Sequence, residues 1–396
     1  MEWDGIELFE RAEGRAFKPG AGQVPETYDC EPLIDTPYPK SASFCSAPKR
    51  VYWELTRRCN LSCANCYNRH ATAGYAGEMD LEQCKRLGKT LYDNGVWIVQ
   101  LTGGEPTTAP HVWELALYLK ALGFYLSMGT NGVFSRQTLA QALNSGIDWF
   151  IISIDKEHEA QSRTLVDSGM HSALETARSL AGDGRRVRIN TLIQRGNFTY
   201  GQLLPLAETC CKLGVESLNC IPLRPFTKDP SALERQLTKE EFGVFISGLE
   251  NLRSEYPALH FVTTLDLKPT DSHDRVYKKE KSCAAGREGC VISPYGEVYG
   301  CSYSPASSLD ADDPRRSLFV AGSVMERDFM DIWNDSARWA VYRDLERYKN
   351  ERCKQCGYYR ENRCIGNCPV MVKGAPDAFD PYCYVDAAYS APSESL

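Results

Sequence analysis

The sequence predicts an α/β protein in which a partial (β/α)6 barrel of parallel strands precedes a small, cysteine-rich domain. Between residues 51 and 253, six short apolar segments alternate with segments of helical periodicity. From residue 283 this alternation stops, and eight cysteines fall within residues 283–383. Six strands are too few for a closed eight-stranded barrel, so an open barrel is expected, with a doubly wound sheet as the alternative.

The expected strands are short runs rich in β-branched and aromatic residues, each followed by a helical pattern. The strands are predicted at 51–56, 97–104, 124–132, 148–155, 187–193 and 217–223, and the helices at 81–91, 111–122, 135–145, 170–182, 200–213 and 238–253. Strands joined by helical crossovers run parallel, so their carboxyl ends meet at one edge of the sheet. The functional residues should lie at that edge.

Composition divides the chain into four expected parts. Residues 1–50, rich in proline, glycine and aspartate, are expected to form an irregular N-terminal arm. The barrel is assigned to 51–270, the cysteine-rich domain to 271–390 and a tail to 391–396. A region of short elements such as 271–390 needs staples other than a large apolar core.

Charge and hydropathy exclude several classes of protein. The chain has 396 residues, a net charge of −7 and no basic patch, so neither a nucleic acid nor a membrane surface is expected as a partner. No apolar run approaches the length of about 18 residues that a transmembrane helix needs. The acidic N-terminus lacks the apolar core of a signal peptide, so a cytoplasmic location is expected.

Seventeen cysteines point to metal binding, because clustered cysteines in a reducing compartment are more often metal ligands than disulfides. Cys59, Cys63 and Cys66 form a C-x3-C-x2-C run in the loop after the first strand. Three thiolates in one loop can hold three irons of a cubane and leave the fourth iron open. A structural zinc loop, which would want a fourth protein ligand, is the alternative.

This run, followed by the aromatic Tyr67, resembles the signature of the radical S-adenosylmethionine (SAM) superfamily. The resemblance implies a [4Fe–4S] cluster whose open iron binds the amino and carboxylate groups of SAM. One electron, from a reductant such as flavodoxin or ferredoxin, would then cleave SAM to a 5′-deoxyadenosyl radical that abstracts a substrate hydrogen atom. The cofactor carries this chemistry, and the protein supplies orientation.

The second predicted strand ends in Gly103-Gly104-Glu105-Pro106, which is similar to the family's segment that meets the methionine amino group of SAM. Glycines allow close backbone approach to a ligand, and a carboxylate favours a nearby ammonium. The resemblance implies further cofactor contacts, with ordinary capping or turn roles as the alternative, at Thr130, Asn131, Ser153, Arg163 and Asn190.

The C-terminal cysteines resemble the SPASM domain of peptide-maturing radical SAM enzymes. That resemblance implies two auxiliary [4Fe–4S] clusters, one held by Cys283, Cys290, Cys301 and Cys368, the other by Cys353, Cys356, Cys364 and Cys383. Seven residues separate Cys356 from Cys364, where the family pattern has five. A pair of zinc knuckles is the alternative for this region.

Fully ligated auxiliary clusters favour electron transfer and therefore a net oxidation of the substrate. The segment CAAGREGCVISPYGEVYGC is similar to the mycofactocin-maturase branch, with pyrroloquinoline-quinone maturases as more distant relatives. We therefore expect oxidative modification of a peptide or natural-product intermediate: a cross-link, a dehydrogenation or a decarboxylation. The short N-terminal arm implies that a separate protein would present a peptide.

Two other functions stay open. A small-molecule dehydrogenase or radical epimerase is one, and in an epimerase Cys220, near the reactive end of the sixth strand, could return a hydrogen atom to the substrate. A buried core cysteine is the alternative reading of Cys220. Asp155 could contact substrate or move a proton. A non-catalytic iron–sulfur or zinc interaction protein represents a different class altogether.

Overall fold

The computed structural model describes residues 44–63, 66, 77–155, 170–223, 234–263, 283–304, 314–344, 350–356 and 368–370, together with the backbone of four short strands within residues 2–28. Those four strands form an antiparallel meander in the order β1-β2-β3-β4. They span β1 (Glu2–Trp3), β2 (Leu8–Glu10), β3 (Arg15–Lys18) and β4 (Glu26–Tyr28). The structure differs here from the expected irregular arm, because strands of two to four residues are too short to show a period of two.

The central sheet contains seven parallel strands that follow one another in chain order. They are β5 (Arg50–Glu54), β6 (Ile98–Thr102), β7 (Tyr125–Thr130), β8 (Trp149–Ser153), β9 (Arg186–Ile193), β10 (Ser217–Pro222) and β11 (His260–Thr263). The helices between them are α1 (Leu81–Asp93), α2 (Val112–Leu122), α3 (Arg136–Asn144), α4 (Ala173–Gly182), α5 (Tyr200–Leu213) and α6 (Lys239–Glu255). The prediction of six parallel strand–helix units is thereby confirmed, and β11 adds a seventh strand.

Local sequence explains where these helices begin and end. Capping boxes start α1 at Asp80 and α4 at Ser172, where the side chain of the cap residue accepts a hydrogen bond from the third helical N–H. Helix α2 ends at Gly123, whose φ of 107° is costly for residues with a Cβ. These signals fix the length of each crossover and so place each strand end.

The two faces of the sheet are filled differently. Phe150 and Ile152 of β8 belong to the large core shared with the surrounding helices, whereas Trp149 and Ile151 alternate to the inner face of the barrel. A small separate cluster near the amino ends of the strands consists of Trp97, Ile98, Tyr125, Trp149 and Ile151. This cluster fills the inner face near the amino ends, and we refer to the carboxyl ends, where the predicted site residues lie, as the open end of the barrel.

The cysteine-rich region continues the same sheet on the other side of β5. Strand β12 (Gly289–Ile292) pairs parallel with β5, and β13 (Glu297–Tyr299) and β14 (Val320–Ser323) follow antiparallel. Short helices α7 (Phe329–Asn334), α8 (Ala340–Arg343) and α9 (Glu351–Gln355) come next in the chain. The first part of the C-terminal region is therefore joined to the barrel by backbone hydrogen bonds.

Aromatic side chains pack the loops around β12 and β13. The Trp339 ring lies 5.2 Å from that of Trp333 and 5.9 Å from that of Tyr342. A Cβ on Gly286 would lie 2.7 Å from Trp339, and one on Gly300 would lie 2.6 Å from Tyr342. The loops that carry Cys283, Cys290 and Cys301 thus rest directly on these rings. No helix in the described part of the chain is long and apolar enough to cross a membrane.

A pair of leucine substitutions tests the packing of the barrel. Leu126 of β7 is fully buried, whereas Leu117 of α2 is 52% exposed. Leu126→Ala should lower the free energy of unfolding by about 2–5 kcal/mol, because it leaves a cavity between sheet and helices. Leu117→Ala, the control, should change it by less than about 0.5 kcal/mol. Thermal unfolding under anaerobic conditions measures both, and equal midpoints would contradict the burial of β7.

Candidate functional site

The predicted site residues lie at the carboxyl ends of adjacent strands. Cys59 follows β5, Glu105 follows β6, Asn131 follows β7, Ser153 ends β8, and Asn190 lies in the carboxyl half of β9. Because these five strands are neighbours in one parallel sheet, the chain segments meet along a single edge. Tyr67 and Arg163, both predicted to contact the cofactor, lie outside the described residues.

The loop that leads to Cys59 is bound directly to the glycine pair after β6. Gly104 N donates to Thr56 O at 2.7 Å, and Glu105 N donates to Arg58 O at 2.7 Å. A Cβ on Gly103 would collide with the Thr56 carbonyl oxygen, and one on Gly104 with that of Arg58. The φ of Gly103 is also +141°. The glycines therefore permit close contact with the cysteine loop, whereas the sequence had suggested close contact with a ligand.

The Glu105 side chain is turned into the protein. Its Oε1 accepts hydrogen bonds at 2.8 Å from the hydroxyls of Thr107 and Thr130, and its Oε2 accepts one from Asn131 N at 2.7 Å. The side chain is fully buried, and this burial raises the pKa of its carboxyl group. Glu105 thus joins the ends of β6 and β7, and its carboxylate is occupied by these donors, whereas the sequence had suggested an ammonium partner.

Asn131 connects Glu105 to the cysteine loop. Its Nδ2 donates to Asn60 Oδ1 at 2.6 Å and lies 3.8 Å from Cys59 Sγ, while its Oδ1 accepts from Val133 N at 2.9 Å. Asn60 Nδ2 in turn donates to Val133 O at 3.2 Å. Thr130 and Asn131 therefore hold the loop that carries Cys59, a supporting role beside the cofactor contact predicted for them.

The cysteine trio offers a soft donor set at the mouth of the barrel. Cys59 is exposed, and Cys63 and Cys66 are half-exposed in a turn where Cys66 N donates to Cys63 O at 3.2 Å. Desolvation by the surrounding protein raises the pKa of the Cys59 thiol to about 11, and a bound metal would favour its thiolate at neutral pH. Thiolates in one loop fit an iron–sulfur cluster, in which each sulfur binds its own iron.

Within the described residues, no three His, Cys, Asp or Glu side chains converge on one point as ligands of a single ion do.

The loop that carries the cysteine trio is also held by Glu78. The Glu78 carboxylate accepts from Thr56 Oγ1 at 3.0 Å and from Arg57 N at 2.9 Å. The loop is therefore held both by backbone hydrogen bonds from Gly104 and Glu105 and by the Glu78 carboxylate.

The next three strands bring further polar groups to the same edge. Ser153 lies opposite Asn190 in the pairing of β8 with β9, and Asn190 lies opposite Asn219 in that of β9 with β10. Asn219 Nδ2 donates to Asn190 Oδ1 at 3.1 Å. Asp155 follows β8 and is half-buried. These side chains extend the row begun by Thr130 and Asn131.

Cys220 lies on the other face of β10. It is fully buried in the core shared with the helices, and burial raises the pKa of its thiol to about 12. Its neighbour Asn219 alternates to the inner face, where it meets Asn190. This placement removes the geometric basis for hydrogen return by Cys220 and favours the core-cysteine reading.

Six of the predicted auxiliary-cluster ligands are described. Cys290 in β12 is fully buried, and the other five, all half-buried, are Cys283, Cys301, Cys353, Cys356 and Cys368. Cys353 and Cys356 lie one helical turn apart, and Cys356 N donates to Cys353 O at 3.0 Å. Cys301 and Cys368 pack against the main core. Cys364 and Cys383 lie outside the described residues.

Sequence reasoning missed a buried polar group beneath the cysteine loop. Glu54, the last residue of β5, accepts from Arg57 Nη2 at 3.0 Å and from the hydroxyl of Tyr299 at 2.9 Å. All three side chains are almost fully buried. The available signal was an acidic residue within the apolar strand, because such residues are rarely buried unless they are paired.

The comparisons with known proteins agree with this geometry. Residues 53–225 match the family model described as the radical SAM superfamily, and residues 283–357 match that of the SPASM iron–sulfur cluster-binding domain. The chain is 26% identical to an AdoMet-dependent heme synthase of Oleidesulfovibrio alaskensis, covering 85% of this chain and 87% of that protein.

It is also 27% identical to the mycofactocin maturase MftC of Mycobacterium tuberculosis, covering 85% of this chain and 83% of that protein. Among solved structures, SuiB of Streptococcus suis bound to S-adenosylmethionine superposes with a TM-score of 0.68 at 18% identity, covering 87% of this chain and 78% of that one. A likeness at this identity shows a shared fold.

Gly104→Ala tests the contact between the glycine pair and the cysteine loop. The added methyl would collide with the Arg58 carbonyl, so the loop must move and the iron content after reconstitution should fall. Gly243→Ala in α6 is the control, because a Cβ there meets nothing within 4 Å and alanine favours the helix by about 1 kcal/mol. Iron analysis and thermal unfolding measure both variants. Full iron content in Gly104→Ala would contradict the proposed tight fit.

Proposed function

The chain belongs to the radical SAM superfamily and carries a SPASM iron–sulfur domain; from this premise we propose that it oxidatively modifies a peptide. With Cys59, Cys63 and Cys66 holding the cluster, the bound group would supply one-electron cleavage of SAM to a 5′-deoxyadenosyl radical, which would remove a hydrogen atom from the substrate. A flavodoxin or ferredoxin is the proposed reductant. We propose that the reaction takes place in the cytoplasm, where thiols stay reduced.

The observation that carries this proposal is the anchored cysteine loop at the open end of the barrel. Cys59, Cys63 and Cys66 would hold the cluster, with its fourth iron free for SAM. The contacts of Gly104 and Glu105 with residues 56–58 fix the start of this loop. A loop that is fixed on two rigid strands can present a ligand at one defined place.

The remaining polar side chains supply candidate contacts for SAM and substrate. We assign the SAM side to Ser153, at the end of β8, and to Asn190, which lies opposite it in the carboxyl half of β9. Asp155, half-buried two residues after Ser153, is the proposed substrate contact or proton acceptor. The apolar cluster around Trp149 fills the inner face near the amino ends of the strands, so we propose that substrate enters from the carboxyl side.

The C-terminal cysteines would hold two auxiliary [4Fe–4S] clusters, one with ligands Cys283, Cys290, Cys301 and Cys368, the other with Cys353, Cys356, Cys364 and Cys383. Cys290 is fully buried, so water is kept from that sulfur. An auxiliary cluster with four protein ligands would accept the electron that an oxidised substrate gives up. This supports a dehydrogenation, a decarboxylation or a cross-link.

The relatives support a peptide substrate and also favour a second candidate. A mycofactocin maturase and the PqqA peptide cyclase of Methylorubrum populi both match the chain over most of its length. We propose that a separate recognition protein delivers the peptide. Because an AdoMet-dependent heme synthase matches equally well, oxidation of a small molecule in a biosynthetic pathway is the second candidate.

Anaerobic incubation with SAM, dithionite and a candidate precursor peptide, sought among the short reading frames beside the gene, tests the proposal. We expect 5′-deoxyadenosine together with a peptide that has lost two hydrogens, alone or together with carbon dioxide, measured by chromatography and mass spectrometry. The Cys59→Ala/Cys63→Ala/Cys66→Ala protein is the control and should form neither product. Equal 5′-deoxyadenosine in parent and control would contradict the assignment of this loop. 5′-Deoxyadenosine without any peptide change would favour the small-molecule candidate.

A second prediction separates the auxiliary site from the SAM site. Cys290→Ala should lower the iron content and abolish the oxidised product, while 5′-deoxyadenosine still forms, because the first cluster keeps its ligands. Cys84→Ala is a matched control, since Cys84 is also buried but lies in α1 among apolar side chains. Iron analysis and the two product assays measure both. Unchanged product formation by Cys290→Ala would contradict its role as a ligand.

A further inference from the structure

A buried hydrogen-bonded network joins the cysteine loop to the C-terminal hairpin. Glu54 ends β5, five residues before Cys59, and Tyr299 ends β13, two residues before Cys301. The Tyr299 hydroxyl and the Arg57 guanidinium both donate to Glu54 Oε2, at 2.9 and 3.0 Å. We refer to Tyr299, Glu54 and Arg57 as the Glu54 network.

Because Glu54 is buried, its carboxylate depends on these two hydrogen-bond donors. Glu54 is fully buried, and the exposed fractions of the Arg57 side chain and of Tyr299 are 6% and 1%. Among the described residues, Glu54 Oε1 has no hydrogen-bond partner. A buried carboxylate is costly unless charged or polar donors compensate it. Because both donors meet at one oxygen, loss of either would leave the charge poorly compensated and free to shift.

The sheet holds the two ends of the network at a fixed spacing. Val291 of β12 pairs with Tyr52 of β5 on one side and with Tyr299 of β13 on the other. Tyr299 therefore lies two strands away from β5, and its side chain reaches across β12 to Glu54. A shift of the hairpin that carries Cys290 and Cys301 would move the Tyr299 hydroxyl relative to the end of β5.

Arg57 connects the Glu54 network to the cysteine loop, so a shift of the hairpin would also move this loop. Its backbone N–H is held by Glu78 at 2.9 Å, and its neighbours Thr56 and Arg58 accept the backbone hydrogen bonds of Gly104 and Glu105. Cys59 follows Arg58 directly. A change in the Arg57 side chain therefore acts on the segment that sets the place of Cys59.

We propose that Tyr299, Glu54 and Arg57 are positioning residues. They hold the SAM-binding cysteine loop in a fixed position relative to the hairpin of the auxiliary site. The inference rests on the proposed function, because it assigns clusters to both segments. In this arrangement, the geometry of the SAM site depends on Tyr299, a side chain from the C-terminal domain. The position of the hairpin and SAM binding by the loop are therefore linked.

Tyr299→Phe and Glu54→Gln test the inference in the full-length, reconstituted protein with SAM as the probe. Each removes a single hydrogen bond or charge and keeps the side-chain shape. We expect each to weaken SAM binding about threefold to tenfold, which is less than the full value of a hydrogen bond to a charged group, because the network acts on SAM only through the cysteine loop. We also expect an altered electron paramagnetic resonance (EPR) change on adding SAM to the reduced first cluster.

Tyr52→Phe is the matched control. Tyr52 is also in β5, two residues before Glu54, and its hydroxyl accepts a hydrogen bond from Arg50 at 3.4 Å, outside the Glu54 network. This variant should bind SAM as the parent does. The Glu54→Gln/Tyr299→Phe double variant should be weakened by less than the product of the two single effects, because both act through one oxygen.

The outcomes decide between a positioning role and a purely structural one. Weakened SAM binding with unchanged iron content supports positioning, as does loss of the first-cluster signal while the auxiliary signal remains. Parent-like SAM affinity and EPR spectra in both variants, or an equal loss of both cluster signals, would overturn it. Absence of any SAM-dependent EPR change in the parent would instead refute the proposed function, so the two failures are distinguishable.

Discussion

The candidate site depends on the buried carboxylate of Glu105. Its hydrogen bonds to Thr130 and to the backbone of Asn131 hold the ends of β6 and β7 together. Its own backbone N–H binds the cysteine loop at Arg58. One residue therefore connects three strand ends, and Asn131 carries the connection on to Cys59. Such a fully bonded polar group stabilises one arrangement of the open end of the barrel, because any other would leave a buried charge without donors.

The C-terminal domain is an extension of the barrel as well as a separate source of ligands. Strand β12 pairs with β5 from Gly289–Arg50 to Ile292–Trp53, so the hairpin that carries Cys290 shares its backbone hydrogen bonds with the strand that leads to Cys59. A small cysteine-rich region has few regular elements from which to build a separate core. Pairing with a central strand joins its buried rings, among them Trp333 and Trp339, to the main core. The two cysteine regions are thus built on adjacent strands of one sheet.

Much of the fold and site could be predicted. The alternation of strands and helices, the cysteine trio and the glycine pair are local patterns, and each is legible within a few residues. That Glu105 and its glycines meet SAM stays a prediction, and in the structure their nearest partners are Thr130 and the loop at 56–58. Strands β11 and β12 were missed, since a four-residue strand carries almost no periodic signal.

The sequence by itself determined the parallel barrel and the radical SAM and SPASM cysteine patterns, because ligand spacing and strand–helix alternation are properties of neighbouring residues. Only the tertiary structure decided which face of β10 carries Cys220, that Glu105 points inward, and that Glu54 meets Tyr299. Parallel strands that are covered on both sides read as continuous apolar runs, so alternation does not show which residues face the interior. Contacts such as that between Glu54 and Tyr299 join residues far apart in the chain and exist only once the strands have paired.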